Sequence, residues 1–236
     1  MNIEKNIQII DLGLFLEKEK LLAISDIHLG YEEALTKQGI LIPKFHFKDL
    51  IIRLEKMIKS TKPEIILING DMKHEFGTIS DEEWRNSLKL IDFLKKNCKE
   101  LIILKGNHDT IIDPIAKKRD IVPIKEHIVG DVLFCHGDFV PKIPADVKTI
   151  VIGHEHPAVS VREGIRTEVF KCFLKGKWKE YNLIVLPSMN LLTEGTDITQ
   201  EKLLSPFLKQ DITDFDVYIV ADKVYEFGNV GKIEDL

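Results

Sequence analysis

The amino-acid sequence predicts an α/β fold, and two observations carry that prediction. In the first half of the 236-residue chain, short apolar runs alternate with stretches of helical periodicity, which is typical of a partly parallel sheet. From about residue 121 the apolar runs follow one another with few helical stretches, so we expect a mostly β half that packs as a second sheet. No repeat or linker-like tract divides the chain, and we expect one domain over residues 1–236.

The elements of the first half follow in order. The opening apolar runs predict short strands that tight turns join around Gly13 and Glu19. Ser80 and Glu83 form a capping-box pattern at the start of an amphipathic stretch, which marks a helix N-terminus. Periodicity then predicts a helix at 47–60, a buried strand at 64–70, a helix at 80–97 and a buried strand at 100–106.

The second half reads as strands. We expect a hairpin at 127–137. Five further strand stretches follow, at 149–154, 158–164, 167–175, 181–188 and 216–228. The strands near the two ends of the chain, at 7–10 and 218–227, could pair at a sheet edge or contribute to a homodimer.

Composition excludes several classes of protein. The net charge of −5 gives no general attraction to nucleic acid, although a local metal cluster can supply a positive field. No apolar stretch approaches the roughly 18 residues of a membrane span, and the first residues lack the features of a signal peptide. We therefore expect a cytoplasmic protein without a membrane partner. The odd, scattered cysteines (Cys98, Cys135 and Cys172) argue against disulfides and a cysteine zinc site, and Cys135 is expected to be buried.

Five predicted strands end in aspartate, asparagine or histidine. The side chains concerned are Asp26 and His28; Asp71 and His74; Asn107, His108 and Asp109; His136; and His154 and His156. Ligands of α/β sheets bind outside the carboxyl ends of the strands, so we expect these side chains at one rim. Residues i and i+2 of an extended chain share a face, which predicts that Asp26 and His28 reach one ion. His154 and His156 would bind one ion or straddle two.

This pattern indicates a metal site. Six of the eight histidines fall in these strand-end loops, whereas His46 and His127 lie outside and are expected to be packing or surface residues. Seven candidates are too many for one ion that keeps a position open for water, so we expect two ions that share a carboxylate. Imidazole with carboxylate and amide oxygen favours Mn²⁺, with Fe, Zn²⁺ or Ni²⁺ as alternatives. The candidates are Asp26, His28, Asp71, Asn107, His136, His154 and His156.

The ordered motifs resemble the calcineurin-like metallophosphoesterase superfamily. They read D-x-H, G-D, G-N-H-D, H-G and G-H-x-H, at 26–28, 70–71, 106–109, 136–137 and 153–156. The resemblance implies a four-layer α/β sandwich of two mixed β-sheets flanked by helices, with a dinuclear centre. It implies that Asp71 bridges the two ions. The first metal would be held by Asp26, His28 and His156, and the second by Asn107, His136 and His154.

Within the superfamily the chain is most similar to the nuclease-related and DNA-ligase-associated branch, because His74 stands at an offset from Asp71 that nuclease members share. The chain looks too short for the capping domain and ATPase-binding segment of the double-strand-break nucleases. No ATPase partner is therefore expected.

The resemblance implies a dinuclear metal-dependent phosphodiesterase that acts on nucleotide or nucleic-acid-like substrates through a metal-bridging hydroxide. His108 would stabilise the transition state or protonate the leaving oxygen, and Asp109 would orient His108 through a hydrogen bond. His74 would either contact the substrate or have a structural role, and the sequence favours neither. Asp138 and Glu155 are expected to be solvated loop charges. A phosphomonoesterase acting on a small phosphorylated metabolite remains an alternative, as does a non-catalytic scaffold.

Overall fold

The computed structural model describes residues 1–40, 46–75, 77, 79–164 and 166–233, and it shows two mixed β-sheets flanked by helices. The predicted fold class is therefore confirmed. In the described part of the chain, no helix combines the length and apolar character that crossing a bilayer requires.

The first sheet has six strands in chain order. The first four strands pair antiparallel, and the last three lie parallel to one another. The predicted tight turns join the early strands, and helical segments connect the parallel ones. The strands are β1 (Asn2–Glu4), β2 (Ile7–Ile10), β3 (Gly13–Leu16), β4 (Leu21–Ile24), β5 (Ile65–Asn69) and β6 (Glu100–Leu104).

The two predicted helices are present. The longer one buries Leu50, Leu54 and Met57, which their spacing places on one face. The other is capped by Ser80, whose Oγ accepts a hydrogen bond from the Glu83 amide at 3.0 Å. Three short helices were not predicted, because seven residues or fewer show no period. The helices are α1 (Tyr31–Lys37), α2 (His46–Thr61), α3 (Asp81–Lys95), α4 (Asp113–Lys117) and α5 (Val230–Ile233).

The second sheet is built from the later strands in the order β13-β10-β11-β12-β9-β8-β7, with β14 joined to β11 and β15. Strands β8, β9 and β12 are parallel. The strands near the chain ends lie in different sheets and so do not pair with each other. The strands are β7 (Glu126–Val129), β8 (Val132–Cys135), β9 (Thr149–Ile152), β10 (Pro157–Glu163), β11 (Arg166–Trp178), β12 (Tyr181–Val185), β13 (Thr196–Asp197), β14 (Asp216–Val220) and β15 (Val224–Asn229).

Both faces of the second sheet are apolar because both are covered. Phe134 and Val151 belong to the cluster that includes the first sheet, whereas their neighbours Leu133 and Ile152 pack in a second cluster with Phe207. Successive side chains of a strand point to opposite faces. A strand buried on both sides therefore reads as a continuous apolar run, as the sequence does here.

Gly176 of β11 tests the packing of this second cluster. A Cβ at this position would lie 2.3 Å from a ring carbon of Phe215. Gly176→Ala is therefore expected to lower the free energy of unfolding by about 1–3 kcal/mol, the range for overpacking, in chemical denaturation. Gly231→Ala is the matched control, since its nearest neighbour would be an ordinary contact at 3.5 Å. Equal stability of the two variants would contradict this account.

Candidate metal centre

The five strand ends meet at one edge of the two sheets. The loops after β4, β5 and β6 come from the first sheet, and those after β8 and β9 from the second. Among the described residues, three groups of possible ligands have their donor atoms within 4.8 Å of one another. These groups are Asp26, His28 and His156; Asp71, His136 and His154; and His28, His74 and His108.

The first group combines one carboxylate with two imidazoles. The Asp26 Oδ1 atom lies 3.1 Å from His156 Nε2, and His28 Nε2 lies 3.2 Å from the same nitrogen. Asp26 is fully buried and His28 is nearly so. The two residues from the first sheet and the one from the second thus converge on a single point.

The second group is arranged around Asp71. Its Oδ2 lies 3.3 Å from His136 Nε2, which in turn lies 3.1 Å from Asn107 Oδ1. The same Oδ2 is 3.8 Å from His28 Nε2 of the first group. His154 completes the group. Asp71 therefore lies between the two groups.

Hydrogen bonds fix which nitrogen of His136 is available. Its Nδ1 lies 3.0 Å from the carbonyl oxygen of Asn69, which can only accept, so Nδ1 carries the hydrogen and Nε2 faces Asp71. Burial acts to lower the pKa of His136, but the hydrogen bond to Asp71 and the charges of Asp26 and Asp71 raise it to about 10.

Burial and the charges of neighbouring residues also shift the pKa values of Asp26, Asp71 and His28. Burial acts to raise the pKa of Asp26, but the charges of His156, His136 and His28 outweigh it and lower that pKa. Burial acts in the same way on Asp71, and the hydrogen bond from His136 lowers the pKa. For His28, burial and the neighbouring His156 lower the pKa to about 3. A neutral imidazole and ionised carboxylates are the forms that bind metal.

These residues fit a divalent cation. Two imidazole nitrogens that face each other at 3.2 Å, on His28 and His156, repel through their lone pairs unless a proton or cation lies between them. Within the described chain, His28 Nδ1 is also buried without a hydrogen-bond partner. The donors are nitrogen and oxygen atoms only, which suits Mn²⁺, Fe or Zn²⁺.

The backbone of the ligand loops differs from the one we expected. The i, i+2 argument assumed an extended chain, but Asp26 and His28 have φ of 55° and 50°. Asp71, His154 and His156 also lie in the left-handed region, with φ of 48°, 67° and 52°. Such conformations are uncommon outside glycine and cost on the order of 1 kcal/mol or more each. The pairs converge because the loops turn sharply, not because they are strands.

Two glycines allow the close approach of these loops. A Cβ on Gly106 would lie 2.1 Å from Asp71 Oδ1, and one on Gly70 would lie 2.2 Å from His136 Nδ1. Gly70 also has φ of 89°. Any larger side chain here would displace a candidate ligand.

His74 and His108 lie beside the two groups. The His108 Nδ1 atom is 2.5 Å from the carbonyl oxygen of His74, and the two rings stack with centroids 5.4 Å apart. The His28 ring meets His108 edge-on at 4.8 Å, and Tyr31 meets His74 at 4.7 Å. All four side chains line a cavity of about 440 Å³.

Asp109 is placed differently from the expectation. The hydrogen bonds that the structure gives its carboxylate come from the backbone amides of Gly106, Met72 and Lys73, at 3.1, 3.2 and 3.2 Å. We expected Asp109 to form a hydrogen bond with the His108 ring. The Nδ1 atom of that ring instead contacts the carbonyl oxygen of His74. Burial and the charge of Asp71 raise the pKa of Asp109 to about 6.

Glu155 is not the solvated loop charge that we expected. It is 1% exposed and accepts hydrogen bonds from the amides of Leu204 and Ser205 at 2.9 and 2.8 Å. Asp138 is also partly buried. His46 has the expected packing role, because its Nε2 accepts a hydrogen bond from the Leu191 amide at 3.0 Å.

Sequence reasoning missed a support behind Asp26. Lys171 donates hydrogen bonds to the carbonyls of Ser188 and Asn190, at 2.9 and 2.6 Å. Ser188 Oγ and the Asn190 amide in turn donate to the Asp26 carbonyl, at 2.7 and 3.1 Å. Burial and the charge of Arg53 lower the pKa of Lys171 to about 8. A lysine in the apolar run 167–175 was the available signal.

The fold and the site together define a metal-binding α/β protein whose ligand groups lie beside an open cavity. The chain belongs to the calcineurin-like phosphoesterase family, whose model matches residues 19–158. The resemblance seen in the motifs is thereby confirmed. The protein is accordingly a metal-dependent phosphoesterase that uses divalent cations.

Among solved structures, the nuclease MPE of Pseudomonas putida shares the fold. It is 18% identical, with a TM-score of 0.66, and the match covers 94% of this chain and 100% of that one. The phosphoesterase Yfce of E. coli is less similar in structure. It is 14% identical, with a TM-score of 0.42, and the match covers 86% of this chain and 88% of the Yfce chain. No curated protein sequence matches the chain.

Gly70 provides a test of the site. Because a Cβ would collide with His136, Gly70→Ala is expected to weaken Mn²⁺ binding about 10–100-fold, the range for changes beside metal ligands. Isothermal titration of chelator-treated protein measures this. Gly77→Ala is the control, since a Cβ there meets no atom of the described residues within 4 Å. A folded Gly70→Ala variant with the affinity of the parent would contradict the arrangement.

Proposed function

We propose that the protein is a dinuclear metal-dependent phosphodiesterase acting on nucleotide or nucleic-acid-like substrates. One observation carries this proposal: Asp71 lies between two ligand groups, and His28 and His156 of the first group line a cavity together with His74 and His108.

In this proposal each ion is held by residues from both sheets. Asp26, His28 and His156 hold the first, and Asp71 joins it to the second. The second is held by Asn107, His136 and His154. When bound, two divalent cations neutralise charge on the phosphoryl group and lower the pKa of a bound water toward neutrality. Mn²⁺ is the cation that we propose to test first, and the nitrogen and oxygen donors suit Fe and Zn²⁺ as well.

The structure suggests how His108 acts. A carbonyl oxygen accepts only, so the His74 carbonyl requires the hydrogen of His108 to lie on Nδ1. The Nε2 atom is the ring nitrogen on the Asp71 side, 4.0 Å from Asp71 Oδ2. A protonated His108 can therefore donate its Nε2 proton to the leaving oxygen. General acids of this kind contribute typically 10²–10⁴-fold.

The walls of the cavity favour a diester. Tyr31 and His74 present ring surfaces beside the ligand groups, and these can contact a second ester substituent. The exposed Glu194 also lines the cavity, and its carboxylate would repel a doubly charged monoester more than a singly charged diester. The P. putida neighbour is a nuclease by name, and nucleases cleave phosphodiester bonds, which agrees with a diester substrate here.

The direct test compares bis-p-nitrophenyl phosphate with p-nitrophenyl phosphate after chelation and addition of Mn²⁺. We expect diester turnover that depends on Mn²⁺. His108→Ala should lower kcat by about 10²–10⁴-fold while retaining metal, since it removes the proton donor. Asp71→Ala should lose both activity and bound metal. His127→Ala is the matched control, because His127 belongs to none of the ligand groups and does not line the cavity, and its activity should be unchanged.

The other outcomes lead to other functions. A preference for the monoester would move the assignment to a phosphomonoesterase. Absence of turnover with Mn²⁺, Fe, Zn²⁺ and Ni²⁺ would favour a non-catalytic scaffold.

A further inference from the structure

A buried carboxylate outside the family motifs holds the loop that carries His74. The Oε1 atom of Glu83 accepts hydrogen bonds from the backbone amides of His74 and Glu75, at 2.9 and 3.2 Å. Glu83 is fully buried and lies in the first turn of α3. The sequence predicts Glu83 only as part of a capping box at the start of α3. In the structure its carboxylate also binds the backbone of residues 74 and 75.

The surroundings are built to keep the Glu83 carboxylate in place. A Cβ on Gly30 would lie 3.0 Å from Glu83 Oε1, so a glycine leaves the room that the carboxylate needs. The N-terminus of α3 favours a negative charge in its first turn. The positive charge of Lys73, which is itself fully buried, acts on the same carboxylate.

The loop is therefore held along four successive amides. Asp109 accepts from the two amides at 72 and 73, and Glu83 accepts from the next two, at 74 and 75. The His74 amide is held by Glu83 and also by the Leu29 carbonyl, the latter at 2.8 Å. The Glu75 amide, which donates to Glu83, belongs to the same peptide group as the His74 carbonyl, which contacts His108 Nδ1. A displacement of this peptide would move the hydrogen-bond partner of the His108 ring.

We propose that Glu83 is a positioning residue for His108, acting through the backbone of residues 74 and 75. The expected effect on kcat rests on the proposed phosphodiesterase function. The contact between Glu83 and the two backbone amides can be tested without any enzymatic activity. Among the hydrogen bonds that the structure gives Glu83, none joins it to the side chain of a candidate metal ligand.

The kinetic test is a double-mutant cycle with bis-p-nitrophenyl phosphate. Glu83→Ala leaves the Glu75 amide without its acceptor and the His74 amide with the Leu29 carbonyl alone. It should lower kcat by about 10²-fold, the scale for misplacing a reacting group, with KM and bound Mn²⁺ unchanged. Glu83→Gln keeps an acceptor oxygen and should stay within a few-fold of the parent. In the His108→Ala background, Glu83→Ala should have no further effect, because the group it positions is absent.

Ser87→Ala is the matched control, since Ser87 is equally buried on α3 one turn further along. It should leave kcat unchanged. A merely structural role would lower kcat by the same factor in both backgrounds, or would make Glu83→Gln as slow as Glu83→Ala. Either result overturns the proposal. If Glu83→Ala does not fold, Glu83→Asp, whose shorter side chain cannot reach both amides, replaces it.

A measurement without substrate separates this inference from the proposed function. Hydrogen exchange at the Glu75 amide should be faster in Glu83→Ala than in the parent, and unchanged in Glu83→Gln and Ser87→Ala. This pattern would support the contact even if no diester were hydrolysed. Equal exchange in all variants would refute it, whatever the activity.

Discussion

The burial of two carboxylates among imidazoles is the constraint on which the structure depends. Asp26 and Asp71 are 0% and 2% exposed, and an isolated charge in such a position is strongly unfavourable. Imidazoles and backbone amides offset that penalty: the His154 amide donates to Asp26, and the His108 amide donates to Asp71 at 2.8 Å. The His154 amide and the imidazoles of His136 and His156 come from the second sheet, so these donors reach the carboxylates only when the carboxyl ends of the two sheets meet.

A second set of interactions holds the loops rather than the ligands. Lys171 acts behind Asp26 through two carbonyls, and Asp109 accepts hydrogen bonds from amides of the loops after β5 and β6. Five candidate ligands adopt positive φ, a conformation that persists only where the surrounding structure determines it. The parallel strands provide the rigid ends from which these turns start, and the buried hydrogen bonds keep the turns in one conformation. The ligand geometry is thus formed by the chain itself.

Much of this could be predicted from the sequence, and the remainder could not for physical reasons. The strands and the helices α2 and α3 follow from apolar periodicity, and the motif residues at the strand ends do come together. The reason given for their convergence was wrong, because it assumed extended chain where the backbone turns. Glu155 was misjudged because its partners, the amides of Leu204 and Ser205, lie about 50 residues away. Backbone amides leave no signature in a sequence, so contacts of this kind are visible only in the structure.

Each of the two main ligand groups draws on both sheets, and this has a consequence for assembly. His28 and His156 are separated by 128 positions in the chain, so closing that loop carries an entropic penalty which earlier contacts must offset. Neither half of the sequence can form a complete group alone. A nascent chain can therefore bring these candidate ligands together only after the strands of the second sheet that carry them have been synthesised and docked. Agreement between the two halves of the chain is thus a condition for assembling either group.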